Sequence, residues 1–265
     1  MIIDQVGSGH SLVRGQRSGG DRKMDAIAYQ TLANCALVAK TWTFRSHKNL
    51  FNDIVFSVDE TDGILDLTLP SAASLNFIES LAIYVPSQSH HRESITSYLL
   101  GAFSVCPLRS LRIGGGLFSL TRRLVLRACF GALFGRLLEL TFRFCLFEPE
   151  PLRDILAIRN TLADITFLGC DQDHPEDPTR NNINWQLVNH DVRRTLCVMG
   201  GDEKPSEEFY IDLSELSVRF SKLDVDFYED GELLDATQFL IDANAAVVSF
   251  LKVNVMSNPS GTLPT

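Results

Sequence analysis

Residues 137–147 read LLELTFRFCLF, and the pattern of this stretch recurs along most of the chain. The pattern consists, in order, of an apolar residue, two variable residues, a leucine, one variable residue and a second apolar residue. Leu140 and Phe142 project to the same side of an extended chain, because side chains alternate across a strand. Cys145 and Phe147 come directly after them. The stretch therefore predicts a strand with one buried face that ends in a turn.

The same pattern begins again at residues 78, 108, 162, 213 and 248. The starts at 78, 108, 137 and 162 are 30, 29 and 25 residues apart. The next gap, from 162 to 213, is 51 residues, close to two units. It predicts a degenerate copy near residues 193–198, which read RRTLCV.

Helical patterns separate these strands, most clearly at residues 119–136, 148–160 and 231–244. A strand and a helix that recur every 25–30 residues are typical of leucine-rich repeats, whose units stack because none can bury its apolar face alone. The expected fold is an α/β solenoid of irregular repeats with parallel strands. Five residues should then occupy equivalent inward positions: Leu111, Leu140, Ile165, Leu216 and Leu251.

Cys145 and Cys170 fall near the position where such repeats keep an Asn or Cys, and we interpret both as buried structural residues that satisfy turn backbone groups. Gly114–Gly116 follows its strand and predicts a tight turn rather than a phosphate-binding loop, since no Lys-Ser/Thr follows. Prolines and acidic residues in 170–185 predict an irregular loop. That loop is a candidate for partner contact, and a loop with no function is an equal alternative.

Upstream of the repeats, residues 31–58 read TLANCALVAKTWTFRSHKNLFNDIVFSV. Apolar residues at helical spacing predict a short amphipathic helix, and Phe56 with Val58 keeps the period of a strand. LANCALVAKTW followed by RSHKNLF resembles the second half of F-box-like domains, in the form common among large fungal families. The first F-box helix, usually introduced by Leu-Pro and Glu, has no counterpart before Thr31.

The resemblance implies a substrate-recognition adaptor of a Skp–cullin–F-box (SCF-type) ubiquitin ligase. The F-box-like segment would bind the Skp-type adaptor of the cullin complex, and the repeats would hold a target protein whose identity the sequence does not give. The residues carried over to adaptor docking, or to the core that supports it, are Leu32, Cys35, Val38 and Trp42. The alternative is a leucine-rich-repeat interaction scaffold with no ligase link, which the incomplete F-box favours.

Composition sets the expected domain boundaries. Residues 1–24 are expected to be a flexible segment, because Gly and Ser there favour a coil. Residues 25–58 form the partial F-box-like segment and first strand, 59–256 the repeat solenoid, and 257–265 a disordered tail.

The net charge of −9 opposes nucleic-acid binding, which needs a basic surface. Twelve of the acidic side chains lie in residues 202–235, against three basic ones. No apolar stretch predicts a membrane span or signal peptide. The six cysteines stand singly, so we expect no metal site and a cytoplasmic or nuclear protein with reduced thiols. No catalytic motif is present, and we expect no enzyme and no cofactor.

Overall fold

A computed structural model describes residues 12–14, 30–31, 34, 44, 46, 48, 51–57, 60–61, 64–65, 75–85, 92–134, 136–157, 162–172, 191–200, 205–215, 218–228 and 231–256. These residues form a mixed α/β structure whose main element is an open sheet of nine strands. All neighbouring strands of this sheet run parallel. The predicted α/β class with parallel strands is confirmed.

The strands, in chain order, are β1 Leu12–Arg14, β2 Asp53–Ser57, β3 Glu60–Thr61, β4 Ile64–Leu65, β5 Ser80–Tyr84, β6 Ser110–Gly114, β7 Leu117–Phe118, β8 Glu139–Arg143, β9 Leu146–Phe147, β10 Asp164–Leu168, β11 Asp171–Gln172, β12 Asp191–Met199, β13 Val218–Tyr228 and β14 Phe250–Met256. Five α-helices have bounds within the described chain: α1 Arg92–Phe103, α2 Arg123–Phe134, α3 Pro149–Ala157, α4 Glu207–Ser214 and α5 Gly231–Asn244. The nine-stranded order is β1-β2-β5-β6-β8-β10-β12-β13-β14, and β11-β9-β7 form a second, short parallel sheet.

The register of the large sheet aligns one apolar residue from each strand into continuous rows. Residues of the first row pair directly from strand to strand: Ile54, Leu81, Leu111, Leu140, Ile165, Leu196, Leu223 and Leu251. The second row lies two residues further on: Phe56, Ile83, Ile113, Phe142, Phe167, Val198, Val225 and Val253. Every member before β14 is buried. The two rows therefore form one continuous core beneath the sheet.

From β2 to β12, each strand of the large sheet is aligned with the next by the same pair of backbone hydrogen bonds. The carbonyl of Arg109, just before β6, accepts bonds from the N–H groups of Leu138 (2.8 Å) and Glu139 (3.0 Å) at the start of β8. The carbonyl of Leu138 accepts the corresponding pair from Ala163 and Asp164 at 2.9 and 3.0 Å. This repeated arrangement fixes the register where each strand begins.

Aromatic rings fill the space between the sheet and the helices. Phe147 stacks on Phe118 with ring centroids 4.7 Å apart, and its ring meets that of Phe142 edge to face at 5.0 Å. Phe167 stacks on Phe142 at 5.4 Å and meets Phe209 of α4 edge to face at 5.3 Å. Such pairs contribute roughly 0.5–1.5 kcal/mol beyond their buried area. The second row of the sheet is thereby joined to the short sheet and to α4.

The prediction that a copy of the strand pattern begins at Leu213 is wrong. Leu213 lies in α4, and the strand of that unit begins at Val218. The Ser206 side chain accepts a hydrogen bond from the Phe209 N–H, which caps the helix, and Glu207 with Glu208 suits its positive N-terminal end. The motif was misread because an apolar residue and a leucine three positions apart also fit a helix. Leu216, expected to point inward, lies outside the described residues, and Leu223 occupies the row instead.

Several other predictions of strands, helices and buried residues agree with the structure. The degenerate copy at 193–198 lies within β12, and the helices expected at 119–136, 148–160 and 231–244 correspond to α2, α3 and α5. Leu111, Leu140 and Ile165 are buried in one row as expected. Within residues 1–24, expected to be a flexible segment, Leu12–Arg14 forms β1 and pairs with β2, and the rest of that segment lies outside the described residues.

Two leucines in the same row test the core. Leu140 is 1% exposed, whereas Leu251 at the equivalent register position is 42% exposed. Leu140→Ala should lower the free energy of unfolding by about 2–5 kcal/mol, since it leaves a cavity. In a solution dilute enough to contain single chains, Leu251→Ala should cost under about 1 kcal/mol, because a partly exposed residue leaves no enclosed cavity. Urea unfolding of both variants measures the difference, and equal losses would contradict this account of the row.

Candidate functional site

The face of the sheet opposite the apolar rows is polar, and no helix of the described chain buries it. Charged side chains are exposed on it at Arg112, Glu139, Arg143, Lys222 and Lys252. Asp224 accepts a hydrogen bond from Lys252 at 2.9 Å, and Asp164 pairs with Arg194. We call this surface the open face. The open face therefore presents both positively and negatively charged side chains on the strands of the sheet.

Toward its N-terminal end, the open face carries an aromatic ring lying over a glycine. Tyr84 is paired with Gly114 on the neighbouring strand. A Cβ added to Gly114 would meet the Tyr84 ring at 2.4 Å, so only glycine fits beneath the ring. Gly114 is consequently buried although it lies on the open face.

Three successive strands end in a residue with left-handed backbone. Gly115 follows β6 with φ 71°, Phe144 follows β8 with φ 51°, and Gly169 follows β10 with φ 56°. The N–H of each donates to the carbonyl at the end of the next strand at 2.8 Å. The three turns are therefore equivalent, and the middle one places a phenylalanine where its neighbours have glycine.

The backbone of Phe144 is held at both of its polar groups. Its N–H donates to the Leu168 carbonyl, and its own carbonyl accepts a bond from the Arg92 guanidinium at 2.9 Å. Arg92 also donates to the carbonyls of Gly115 and Gly116, the latter at 3.1 Å. A side chain at the start of α1 thus joins two neighbouring turns. These bonds keep Phe144 in a conformation that costs an L residue roughly 1–2 kcal/mol.

The Phe144 ring is 44% exposed at the edge of the open face. The guanidinium carbon of Arg143 lies 5.1 Å from the centre of this ring, within cation–π distance. Exposed aromatic and arginine side chains on a rigid backbone are the residue types that most often dominate protein–protein binding. Residues in unfavourable backbone conformations cluster at functional sites, and Phe144 is one of them. We call Arg112, Arg143 and Phe144 the arginine–phenylalanine patch.

Beneath these turns lie the two cysteines interpreted as structural. Both are buried, and the Cys145 thiol is within hydrogen-bonding distance of the Ile113 carbonyl (3.3 Å) and the Arg143 carbonyl (3.6 Å). The Cys170 thiol lies 3.6 Å from the Leu168 carbonyl. Burial raises the pKa of Cys170 well above its ordinary value, so its thiol stays protonated. The prediction that both satisfy turn backbone groups is confirmed.

The pKa shifts of Cys197 and Asp164 on the open face oppose a reactive role for these two side chains. Burial, with the nearby Asp224 and Asp226 carboxylates, raises the pKa of the Cys197 thiol to about 11, which opposes a nucleophilic thiolate. A hydrogen bond from Arg194 lowers the pKa of Asp164, and Asp164 stays ionised at neutral pH. Within the described ranges, no group of three His, Cys, Asp or Glu side chains is arranged to hold a metal ion.

The predicted adaptor-docking residues Leu32, Cys35, Val38 and Trp42 lie outside the described residues, as does most of the 170–185 loop. They stay predictions. The arginine–phenylalanine patch was missed at the sequence level. Aligning the residues after each strand would have found it, because Gly115 and Gly169 are the expected residues for such turns and Phe144 is not.

Compared with protein-family models, the chain matches none, and no curated protein matches it significantly. None of the described helices combines the length and apolarity that crossing a bilayer requires.

The left-handed backbone conformation of Phe144 can be tested with two substitutions that remove its ring. Phe144→Gly should be more stable than Phe144→Ala by about 1 kcal/mol, because glycine adopts left-handed backbone without a steric cost. The control is Arg127, exposed in the middle of α2. There the order should reverse by a similar amount, since glycine disfavours helix. Thermal unfolding of the four variants gives both differences, and Phe144→Ala equal to or above Phe144→Gly would contradict the left-handed turn.

The Asp164–Arg194 pair predicts a pH dependence. Because the folded pKa of Asp164 is lowered, its contribution to stability is complete above the unfolded pKa of about 3.9 and is lost as pH falls through the folded value. Arg194→Ala should therefore have a lower Tm than the native chain at pH 7. At the lowest pH measured, the two chains should have the same Tm. Arg112→Ala, an exposed arginine on the same face, is the control. A Tm difference for Arg194→Ala that does not shrink with falling pH would contradict the assignment.

Proposed function

We propose that the protein is an irregular leucine-rich-repeat solenoid that binds a target protein on its open face. The observation that carries this proposal is Phe144, an exposed aromatic ring on left-handed backbone between two equivalent glycine turns. The rows of buried aliphatic residues shared from strand to strand support the repeat assignment, because stacked units with one common core are what such repeats require.

The target is a folded or extended protein with an acidic, partly apolar surface. Arg112 and Arg143 are exposed and occupy neighbouring strands, since Gly114, two residues after Arg112, pairs with Arg143. Two guanidinium groups and one aromatic ring suit carboxylates that flank an apolar side chain. The open face as a whole carries both signs of charge, which favours specificity over general attraction.

In this proposal, the segment 25–58 connects the bound target to a ubiquitin ligase. Its support is the F-box resemblance of LANCALVAKTW and RSHKNLF, which carries Leu32, Cys35, Val38 and Trp42. The protein itself performs no chemistry, and its effect is to raise the local concentration of the target near a ligase bound to the Skp-type adaptor and cullin. A cytoplasmic or nuclear location follows from that role.

The ligase link is tested by a pull-down of the purified chain with recombinant Skp-type adaptor. We expect binding by the native chain and at least about tenfold weaker binding by Trp42→Ala, which is about 1.4 kcal/mol. Trp185→Ala, the chain's other tryptophan, is the matched control and should bind as the native chain does. Failure of the native chain to bind would favour the alternative, an interaction scaffold without a ligase link.

The open face is tested separately, by proximity labelling in cells with the native chain and with Phe144→Gly. Proteins labelled by the native chain should be lost with Phe144→Gly and retained with Leu124→Ala, which removes a more exposed apolar side chain from α2. Purified candidates should then bind the native chain more tightly than Arg143→Ala. Equal labelling by all three chains would contradict a role for the arginine–phenylalanine patch.

A further inference from the structure

The apolar rows of the sheet remain uncovered at β14. Helix α5 packs against α4 and β13, and no described helix follows β14. Leu251 and Val253 continue the two buried rows, yet they are 42% and 37% exposed. The other exposed apolar residues of this strand are Phe250, Val255 and Met256. The same side chains that form the core elsewhere are here an apolar surface.

The free edge of β14 is suited to pairing with another strand. A sheet edge presents unpaired N–H and C=O groups, and proteins usually block it with charges, proline or a bulge. β14 is seven residues long, contains no proline, has a single charged side chain, Lys252, and pairs with β13 without a bulge. At the opposite edge, β1 has only three residues.

We propose that two copies of this chain join through antiparallel pairing of their β14 strands. The symmetry axis passes at Val253, so Val253 meets its own copy across the axis. Leu251 then lies opposite Val255 of the second copy, and Phe250 lies opposite Met256. Each apolar residue meets an apolar residue, and the alternation across the strand places both sets on matching faces. This inference does not depend on the proposed ligase link.

Charge favours the same register. Lys252 faces Asn254 of the second copy, and no like charges oppose each other. Within its own chain, Lys252 bonds to Asp224 at 2.9 Å, which neutralises the one cation of the edge. Asn254 donates to Asp224 at 3.0 Å and to Asp226 at 3.1 Å, so these carboxylates are also compensated.

Helix α5 supplies further apolar contacts. Leu234 and Phe239 are exposed on it, and five residues advance about 140° around a helix, so they lie on opposite flanks. One of these two side chains therefore faces the symmetry axis, whichever flank of α5 is turned toward it. Two β14 strands separate the two β13 strands, so the two α5 axes would be about 14 Å apart. This exceeds the 8–10 Å of packed helices and leaves a space that a large side chain can fill.

One other arrangement of the edge strands fits less well. Head-to-tail joining of β14 to β1 would pair seven residues with three and would continue without closing. A two-fold pair closes on itself and uses the whole strand.

The mass of the full chain in solution tests the proposal. Sedimentation equilibrium at micromolar concentration should give twice the chain mass of 29.5 kDa. Val255→Lys should give the single-chain mass, because position 255 is 63% exposed in one copy but faces Leu251 in the pair. Leu124→Lys, on α2, is the matched control and should keep the doubled mass. A native chain of single mass, or an open-ended series of larger species, would overturn the proposal.

The register is tested by two further variants. Asn254→Lys should keep the native fold by circular dichroism, since the new cation lies beside Asp224 and Asp226, but should halve the mass because it opposes Lys252 of the second copy. Under copper-phenanthroline oxidation, Val253→Cys should cross-link to itself. Leu251→Cys should cross-link only when mixed with Val255→Cys. Self-linking by Leu251→Cys, or a doubled mass with Asn254→Lys, would show a different pairing.

Discussion

The shared register of the parallel strands is the constraint on which the rest of the structure depends. One residue from each strand meets its counterpart in the next, so Leu140 is held between Leu111 and Ile165. A slip of one residue would turn the whole buried set outward, because side chains alternate. The repeated hydrogen bonds to the carbonyls of Arg109 and Leu138 fix the register where each strand begins. The packed phenylalanine rings then join the strands to α4 and the short sheet.

At β14 the continuous core reaches the edge of the sheet. Leu223 is fully buried because β13 lies between two strands and packs against α5, whereas Leu251, its partner on β14, is exposed. The difference lies in position along the row rather than in residue type. An apolar end is the general consequence of a core built by stacking, and it must be met by a cap, a partner or a second copy.

The turns after β6, β8 and β10 share one backbone geometry but differ in residue type. Glycine suits left-handed backbone, and two of the three turns use it. Phe144 occupies the third with a steric cost, while the hydrogen bonds of its N–H and carbonyl maintain the conformation. Its ring and Arg143 are displayed together at the edge of the open face. Phe144 is a residue type that disfavours its own backbone conformation, and hydrogen bonds maintain that conformation. This is the feature of the fold on which a proposal about function can most readily be based.

The sequence by itself determined the α/β class, the recurring strands and the buried roles of Cys145 and Cys170, because periodic burial is written into the spacing of apolar residues. It misplaced the strand of residues 213–218, since three-residue spacing also fits the end of α4. Only the tertiary structure decided which members of a row are covered, as Leu140 and Leu251 show. Likewise, the residue type of Phe144 does not by itself specify left-handed backbone, and only its alignment with the glycines after β6 and β10 indicates it. Hydrogen bonds from Arg92 and to Leu168, distant in sequence, hold the backbone in that conformation. Exposure and backbone strain depend on neighbours that spacing along the chain does not specify.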